Sequence, residues 1–571
     1  MQDLKSNLYG NPHSGCNSSQ MSTEAIEHVR FRILQHFNTT LDEYSVIFTS
    51  GCTASLKLIA ESFQFSGTGK FLYHYDNHTS VVGMREIVTA QSQCIDVMNF
   101  ELPDSGVSLV AFPAQSNFSG FRYPLSKITE WKEKNDSVFV LLDAAAFVST
   151  SRLDLTKYRP DFVSLSFYKM FGYPTGLGAL LVKNTSGHVL EKKYFGGGSI
   201  DVSLTSTSFH SFKKKLNQRF EDGTLPFLDI IALRHGFDAI DRIGGSFDDV
   251  ASHSYKLAQL TFEGLSAYHH GNGTRVAKVY RHGDYVSSDE QGPVVNFNLV
   301  QSDGSFVGYA EVDKLAQSYD IHLRAGCFCN LGACQKFLRI TDEQLMQNFK
   351  AGHVCGDSRD MINNRPTGSL RISFGLASTL RDATRFLKFI EECFVDDAVS
   401  MATTQPDEKE KEETACVLKK IFLYPIKSCG AFEVLEWPLS DRGLLHDRNW
   451  MVISPNGVCL NQKRFPKMCL IRPCIDLNAG TLTLCHADMD EQVSVSLNSE
   501  TAVGGITRLK DCVGKVCGDR VSGVDCGDEA AEWLDRALDL QGLRLIHQSM
   551  DDQRTNRRLK KGDSDQSRGR A

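Results

Sequence analysis

The chain has no surplus of positive charge and no long apolar run. Its 571 residues carry a formal net charge of -7, which argues against nucleic acid as a partner. The opening residues, MQDLKSNLYGNPHSG, lack the apolar core of a signal peptide, and no uninterrupted apolar stretch approaches the roughly 20 residues that span a bilayer. We therefore expect a cytoplasmic protein without a membrane partner.

The signs of an extracellular disulfide framework are also missing. The 17 cysteines are scattered through a long chain, whereas disulfide-stapled proteins are small and secreted. We expect most of these cysteines to be reduced thiols.

The length exceeds what a single hydrophobic core fills, so more than one domain is expected. Apolar strand-like runs alternate with helical stretches as far as about residue 400, and this alternation predicts an α/β domain with a mainly parallel sheet over residues 1–398. Three runs carry the strand signal: 44–49, 137–142 and 162–166.

A charged segment divides the chain. TTQPDEKEKEETA has almost no apolar content and predicts a solvated linker over residues 399–415. Short segments rich in β-formers and broken by Asn-Gly and Ala-Gly turns follow, which predicts a small β-rich domain over 416–510. A helix is expected around 529–538, and the polar tail 550–571 is expected to be disordered.

The run SFYKMFGYPTGLGALLV places Lys169 directly after an apolar strand and before several glycines. A lysine in an apolar pocket has a lowered pKa and can form a Schiff base, the chemistry that pyridoxal phosphate uses. A surface lysine beside a glycine-rich turn is the alternative.

The segment FTSGCTAS leads from a strand through a glycine turn into a helix. Such a junction directs backbone N–H groups and the positive end of the helix dipole outward, and Thr53 adds a hydroxyl, so it suits a phosphate. Thr53 as an ordinary helix cap is the alternative.

Four further side chains suit a bound ring or substrate. Asp143 ends the strand VFVLLD, where a carboxylate could keep a pyridine nitrogen protonated; a helix cap is the alternative. His78 could stack on an aromatic cofactor or be structural, and Asn117 could donate to a ring hydroxyl or belong to a turn. Arg371 lies in a strand pattern and suggests a carboxylate clamp, with an edge-strand salt bridge as the alternative.

The run HLRAGCFCNLGACQKF holds Cys327, Cys329 and Cys334. Closed zinc sites usually show two Cys-x2-Cys pairs, so a metal site is the weaker interpretation. Flanking glycines favour a mobile loop with a reactive thiol, which could accept sulfur as a persulfide and carry it outward.

Together these motifs resemble the cysteine desulfurase branch of the class V aminotransferases, over residues 8–395. Within that branch they are most similar to the molybdenum cofactor sulfurases, through YGNPHS, DNHTSVVGMR, PAQSNFSG, SFYKMFG, YFGGGS, QRFEDGT, GCFCNLGAC and GHVCGD. After the linker, YPIKSC, GLLHDRNWMVI and KRFPKM resemble the β-barrel portion that precedes a MOSC domain, and 511–549 resembles the start of that domain.

The resemblance implies the fold type I of pyridoxal-phosphate-dependent transferases, with a small β-barrel domain after it. It makes Lys169 the Schiff-base lysine, Cys329 the persulfide carrier and Arg371 the clamp for the substrate carboxylate. It assigns the remaining side chains to the cofactor: Cys52 as a cofactor contact, Thr53 and Ser166 at the phosphate, His78 stacking on the ring with a catalytic role, Asn117 at the ring hydroxyl and near the substrate, and Asp143 at the pyridine nitrogen. Thr224 would reach the phosphate of a neighbouring subunit, which implies a homodimer. No metal ligand is implied.

The implied reaction is that of a sulfurtransferase. Sulfur would leave L-cysteine for Cys329, alanine would be released, and the sulfur would replace an oxo ligand of the molybdopterin-type molybdenum cofactor docked by the C-terminal region. Molybdenum hydroxylases would be the recipients of the sulfurated cofactor.

The sequence departs from the family pattern at several places. Tyr168 and Ala146 stand where desulfurases usually have His and Gln, and Leu331 stands where many members have Pro or Thr. The chain opens at NLYGNP without the family's first strand and passes into its tail soon after 543–545, so we expect a form shortened at both ends. Two alternatives stay open: a general cysteine desulfurase or selenocysteine lyase, which needs no second domain, and an inactive form that acts only by binding.

Overall fold

The computed structural model describes residues 3, 6–283, 285–354, 357, 359–396, 420–440, 443–462, 465–486, 488–497, 511–516 and 519–548. The chain forms two compact units, Met1–Thr404 and Gln405–Ala571. The division falls inside the segment predicted as a linker, 399–415. That segment and the tail 550–571 both lie outside the described residues.

The first unit contains a seven-stranded sheet and a four-stranded sheet with helices around them. Its strands are β1 (Tyr44–Thr49), β2 (Lys70–His74), β3 (Gln91–Ile95), β4 (Ser108–Pro113), β5 (Val138–Asp143), β6 (Phe162–Ser166), β7 (Gly178–Lys183), β8 (Ile200–Ser203), β9 (His210–Phe212), β10 (Ala277–Val279), β11 (Val294–Leu299), β12 (Arg324–Gly326), β13 (Met361–Ile362), β14 (Arg365–Pro366) and β15 (Ser369–Ser373). Its helices are α1 (Asn17–His36), α2 (Cys52–Ser62), α3 (Thr79–Val82), α4 (Ser126–Lys134), α5 (Phe167–Phe171), α6 (Leu216–Phe220), α7 (Phe227–Gly244), α8 (Phe247–Ala267), α9 (Tyr309–Ser318), α10 (Leu331–Leu338), α11 (Asp342–Lys350) and α12 (Leu380–Phe394).

The large sheet has the strand order β1-β7-β6-β5-β4-β2-β3. Strands β3, β2, β4, β5 and β6 run parallel to one another, and β7 is antiparallel to both β6 and β1. The central strands β4, β5 and β6 are buried throughout, as expected for a parallel sheet covered on both faces. Because the carboxyl ends of parallel strands meet at one edge, the loops after these strands converge there.

The small sheet is antiparallel, in the order β10-β11-β15-β12. Its core combines strand residues such as Phe297 and Leu370 with Phe386 and Phe389 of α12. Thr379 caps α12 in a reciprocal capping box with Asp382, which satisfies two backbone donors at once. The predicted α/β class with a mainly parallel sheet is therefore confirmed.

A buried ion pair joins α1 to the segment after α6. Arg30 donates from Nη2 to Glu221 Oε2 at 2.7 Å, and both side chains are less than a tenth exposed. The backbone N–H of Phe48 donates to the same carboxylate at 2.7 Å. Removing one partner of such a pair leaves a buried charge without compensation.

We expect Glu221→Gln to lower the free energy of unfolding of the first unit by about 3 kcal/mol, because Arg30 stays buried with a weaker partner. Glu27 is the matched control, since it contacts the same guanidinium but is 55% exposed. Glu27→Gln should lower the free energy by less than about 1 kcal/mol. Urea unfolding of the three proteins measures both effects, and equal destabilisation by the two variants would contradict the expectation.

In its described residues, the second unit is built from short antiparallel strands and one α-helix. The strands are β16 (Ile421–Leu423), β17 (Phe432–Val434), β18 (Leu439–Ser440), β19 (Gly443–Leu444), β20 (Trp450–Ile453), β21 (Ile471–Asp476), β22 (Thr481–His486), β23 (Met489–Ser496), β24 (Asp511–Val516), β25 (Asp519–Asp525) and β26 (Arg544–Gln548), and the helix is α13 (Asp528–Leu538). The predicted β-rich character and the predicted helix near 529–538 are both present.

The predicted border at residue 510 does not separate two folded bodies. Strand β26 pairs with β20 in a sheet that continues to β25 and β24. Trp533 and Leu534 of α13 share one core with Leu482 and Leu484 of β22. Residues 511–548 therefore complete the fold begun at 420, because β20 and β22 bury their apolar side chains against them. In the part of the chain that is described, no helix is long and apolar enough to cross a membrane.

Candidate active site

A cavity of about 430 Å³ lies at the carboxyl edge of the large sheet. Seven of the predicted site residues line it: Cys52, Thr53, His78, Asn117, Asp143, Ser166 and Lys169. They come from the ends of β1, β2, β4, β5 and β6 and the loops that follow. The parallel strands bring these side chains together from positions spread over more than a hundred residues.

The segment predicted to bind a phosphate lies at the start of α2. Gly51 has φ +141°, a conformation that side chains rarely adopt, and the Cys52 N–H donates to Ser166 Oγ at 2.8 Å. A Cβ on Gly178 would lie 2.7 Å from the Gly51 Cα, so two glycines allow the strand–helix turn to approach β7. Thr53 Oγ1 and Ser80 Oγ are 2.9 Å apart. Hydroxyls and a helix N-terminus thus face the cavity, as an anionic phosphate requires.

Asp143 supplies a buried carboxylate to the cavity. It is 8% exposed and accepts hydrogen bonds from the Ala145 N–H at 3.0 Å and from Cys52 Sγ at 3.5 Å. Burial and the neighbouring Asp143 raise the pKa of the Cys52 thiol well above its usual value, so Cys52 is a neutral donor there. Asp143 has no ion-pair partner among the described residues. A protonated ring nitrogen would donate a hydrogen bond to this carboxylate and compensate its buried charge.

His78 caps the short helix α3. Its Nδ1 accepts a hydrogen bond from the Ser80 N–H at 3.1 Å, which fixes the orientation of the ring. Burial lowers the pKa of His78, and the Lys169 cation lowers it further against the opposing effect of Asp143. A neutral imidazole of fixed orientation on the cavity wall suits stacking against an aromatic ring.

Lys169 lies on α5 directly after β6 and lines the cavity. The expectation of an apolar pocket around Lys169 is wrong, because its side chain is exposed. It has no hydrogen bond or ion pair with any described residue. The strand therefore brings Lys169 to the cavity, and the open side of the cavity leaves its side chain exposed to water.

The hydrogen bonds of Asn117 differ from the expected ones. Its Nδ2 donates to the Phe328 carbonyl at 2.8 Å, and its Oδ1 accepts from Asn330 Nδ2 at 2.8 Å. The amide is therefore held by the cysteine loop, residues 327–330, through one N–H and the carbonyl oxygen, and its second N–H remains available at the cavity that Asn117 lines.

Arg371 lies beside the cavity without lining it. Its Nη1 donates to the Asn117 carbonyl at 2.5 Å, and its guanidinium lies 4.9 Å from the centre of the Phe328 ring. Burial and the nearby Arg324 lower the pKa of Arg371 to about 10. Its strand β15 is central, not at an edge, and no described carboxylate pairs with it. Its Nε is buried without a partner, as expected of a clamp that needs an external carboxylate.

A disulfide between Cys327 and Cys334 joins the cysteine loop to α10. These two are exceptions to the expectation that most of the cysteines are reduced thiols, and neither is free to bind a metal. Cys329 is exposed and has a free thiol. Its carbonyl accepts a hydrogen bond from the Thr79 N–H at 2.7 Å, which attaches the loop to the residue after His78.

Thr224 is exposed and does not line the cavity of its own chain. Two residues that sequence reasoning missed lie next to the site: Asp76, which is completely buried, and Asn330, which donates to it at 2.6 Å. The sequence offered a weak signal, since each stands one or two residues from a predicted site residue.

Comparison with known proteins gives two family matches. The model of the class-V aminotransferases matches residues 1–386, and that of the MOSC N-terminal beta barrel domain matches 415–541. The molybdenum cofactor sulfurase of Danio rerio is 44% identical over 96% of this chain and 72% of its own length. Molybdenum cofactor sulfurase 3 of Aedes aegypti is 45% identical over 97% of this chain and 75% of its own length. The apo cysteine desulfurase from Thermococcus onnurineus NA1 shares the fold, with a TM-score of 0.55 and 22% identity over 69% of this chain and 90% of its own.

Proposed function

Since the chain belongs to the molybdenum cofactor sulfurases, we propose that it removes sulfur from L-cysteine, releases alanine, and transfers the sulfur through Cys329 to the molybdenum cofactor. The observation that carries the proposal is the cavity at the carboxyl edge of the large sheet, with the free thiol of Cys329 on the adjacent loop. An amine, a buried carboxylate, a neutral imidazole and a phosphate cradle meet in this cavity.

These groups fit pyridoxal phosphate. The N-terminus of α2 with Thr53 and Ser166 would hold its phosphate, Asp143 its pyridine nitrogen and His78 the face of its ring, while Lys169 would be its covalent anchor. When bound, the cofactor supplies an electron sink for the carbanion chemistry of an amino acid. Asn117, which contacts the cysteine loop, would link that loop to the cofactor's edge.

The residues of the chain then have separate tasks. Arg371 binds the carboxylate of L-cysteine through the buried guanidinium that lacks a carboxylate partner in the described structure. The amine of Lys169 moves protons at the substrate. The thiolate of Cys329 attacks the substrate sulfur: an S–S bond forms, the Cβ–S bond breaks, and its electron pair ends, with a proton, in the methyl group of alanine.

The second unit favours a sulfurase over a general cysteine desulfurase or selenocysteine lyase. We propose that this unit docks the molybdopterin-type cofactor. A thiol reductant would release the outer sulfur of the Cys329 persulfide at the sulfide level and restore the Cys329 thiol, and this sulfide would replace a terminal oxo ligand whose oxygen leaves as water. Molybdenum hydroxylases are the proposed recipients.

We further propose a cytoplasmic homodimer. Thr224 is exposed and does not line the cavity of its own chain, which leaves it accessible to the phosphate site of a second copy. Exposed apolar side chains of the first unit, among them Tyr194, Leu204 and Phe209, provide surface for that copy to cover. Most of the described cysteines form no disulfide, which suits a reducing compartment.

The test is to load the purified chain with pyridoxal phosphate, add L-cysteine, and measure alanine together with activation of a molybdenum hydroxylase that holds the oxo form of its cofactor. Alanine formation with cysteine-dependent activation supports the proposal. Alanine without activation would favour a general desulfurase. A chain that takes up the cofactor but forms no alanine would favour the form that acts only by binding.

Arg371→Gln should raise the KM for L-cysteine by roughly 10- to 100-fold, because a charge-assisted hydrogen bond to the substrate carboxylate is lost. Arg324 is the matched control, since it is the register partner of Arg371 on β12 but is exposed. Steady-state alanine formation by both variants measures the effect. If Arg324→Gln raised the KM as much as Arg371→Gln, the assignment of the clamp would be wrong.

A further inference from the structure

The carboxylate of Asp76 is completely buried two residues before His78. Its Oδ1 accepts hydrogen bonds from Ser116 Oγ at 2.8 Å and Asn330 Nδ2 at 2.6 Å, and its Oδ2 accepts one from Tyr123 OH at 2.8 Å. None of the described cations forms an ion pair with it. Burial raises the pKa of Asp76 to about 6. Burying a carboxylate among neutral donors is energetically unfavourable, so this position calls for a reason beyond packing.

The carboxylate joins segments that each carry a site residue. Ser116 precedes Asn117, Asn330 follows Cys329, and Asp76 itself precedes His78 by two positions. The three segments are far apart in sequence, with 254 residues between Asp76 and Asn330. One buried group therefore sets the mutual position of the cavity wall and the cysteine loop.

The side-chain amide of Asn330 makes four contacts. Its Nδ2 donates to Asp76 Oδ1, to Asn117 Oδ1 at 2.8 Å and to the Asp76 carbonyl at 3.3 Å. Its Oδ1 accepts from the Ala333 N–H at 3.1 Å and so caps α10. The side chain is fully buried. The residue next to Cys329 is thus fixed to the cavity wall on one side and to a helix on the other.

The backbone of the loop is fixed at neighbouring positions. The Cys329 carbonyl accepts the Thr79 N–H, and a Cβ on Gly332 would lie 2.1 Å from the Tyr75 carbonyl oxygen, so only glycine allows this approach. Phe328 and Cys329 both have φ +55°. Residues other than glycine keep this unfavourable conformation only where their surroundings impose it.

We propose that Asp76 and Asn330 are positioning residues that hold the thiol of Cys329 at the distance from the cavity at which it can take sulfur. The inference rests on the proposed function. Neither residue contacts the substrate. Asn330 directly follows Cys329 in the chain, and Asp76 accepts the hydrogen bond that fixes the Asn330 side chain. Displacement of the nucleophile slows its attack on the substrate sulfur, whereas binding of cofactor and substrate depends on other residues. Loss of the positioning contacts should therefore lower kcat and leave the KM unchanged.

The test uses Asn330→Ser and Asp76→Asn in the full chain. Serine keeps an oxygen that can cap α10 but removes the amide that donates to Asp76, and asparagine keeps the shape of Asp76 but removes its charge. Asn135→Ser is the matched control: it also removes an amide donor, to the Pro103 carbonyl at 2.7 Å, at the opposite end of β5 from Asp143.

Two measurements are made on each protein. The first is the rate at which Cys329 gains sulfur in a single turnover with L-cysteine, by mass spectrometry of the loop peptide, together with the KM and the bound cofactor. The second is amide hydrogen exchange over residues 327–334 without substrate, which requires no activity and therefore separates failure of this inference from failure of the proposed function.

We expect Asn330→Ser to slow sulfur uptake about 100-fold and to speed exchange in the loop about 10-fold, with KM, cofactor content and the Asn135→Ser control unchanged. If amide hydrogen exchange over residues 327–334 were as slow in both Asn330→Ser and Asp76→Asn as in the wild type, the inference would be overturned. This outcome counts even if the wild-type chain is inactive. The inference would also be overturned if the variants lost bound cofactor to the same extent as they lost the rate of sulfur uptake, because the two residues would then be structural only.

Discussion

Lys169→Ala should reduce alanine formation from L-cysteine by about 10³-fold or more, because the variant has lost both the covalent anchor of the cofactor and the base that moves protons at the substrate. The fold should be almost unaffected. Lys169 is exposed and has no hydrogen bond or ion pair with the described residues, so the free energy of unfolding should change by less than about 0.5 kcal/mol. Alanine assay and urea unfolding together measure this contrast.

Two further variants sharpen the test. Lys169→Arg keeps the positive charge without a suitable amine and should be as inactive as Lys169→Ala. Lys256→Ala removes another exposed lysine, on α8, and should keep full activity. Activity in Lys169→Arg would mean that only charge is needed at this position, and the assignment of the anchor would then be wrong.

Cys329→Ser should lower both alanine formation and transfer of sulfur to the molybdenum cofactor by at least about 100-fold. A hydroxyl cannot accept sulfur as a persulfide, and a soluble thiol cannot reach the effective concentration of a positioned nucleophile. Cofactor content should stay at the wild-type level, because Cys329 is exposed and does not line the cavity. Alanine, sulfide and bound cofactor are measured separately.

The disulfide provides the control for this experiment. Cys327 and Cys334 are bonded to each other, so removing only one would leave a new free thiol. The double variant Cys327→Ala/Cys334→Ala avoids this and should retain sulfur transfer. If the double variant lost transfer while Cys329→Ser kept it, one of the paired cysteines would be the carrier.

Much of the architecture could be predicted from local sequence patterns. The predicted strand 44–49 has the same bounds as β1, the run 162–166 coincides with β6, and 137–142 differs from β5 by one residue at each end. The place of the site could also be predicted, since Asp143 and Ser166 end neighbouring parallel strands. The border at residue 510 could not, because the pairing of β26 with β20 joins segments some ninety residues apart.

Which residues belong to the candidate site could be predicted better than the contacts that these residues make with one another. The sequence pattern of Asn117 shows an amide near a turn, but the loop that occupies this amide lies 211 residues away. A strand pattern indicated that Arg371 needs a partner, but only the sheet order showed that its strand is central. The glycines around Cys329 suggested mobility, whereas Gly332 serves close packing against Tyr75.

The sequence by itself determined the fold class, the order of the motifs and the residue types that meet at the carboxyl edge of the sheet, because hydrophobic periodicity and strand ends are local properties of the chain. Only the tertiary structure decided that Lys169 is exposed, that Cys327 pairs with Cys334, and that Asp76 is buried against Asn330. Exposure and pairing depend on which distant segments cover a residue, and no local pattern contains that information.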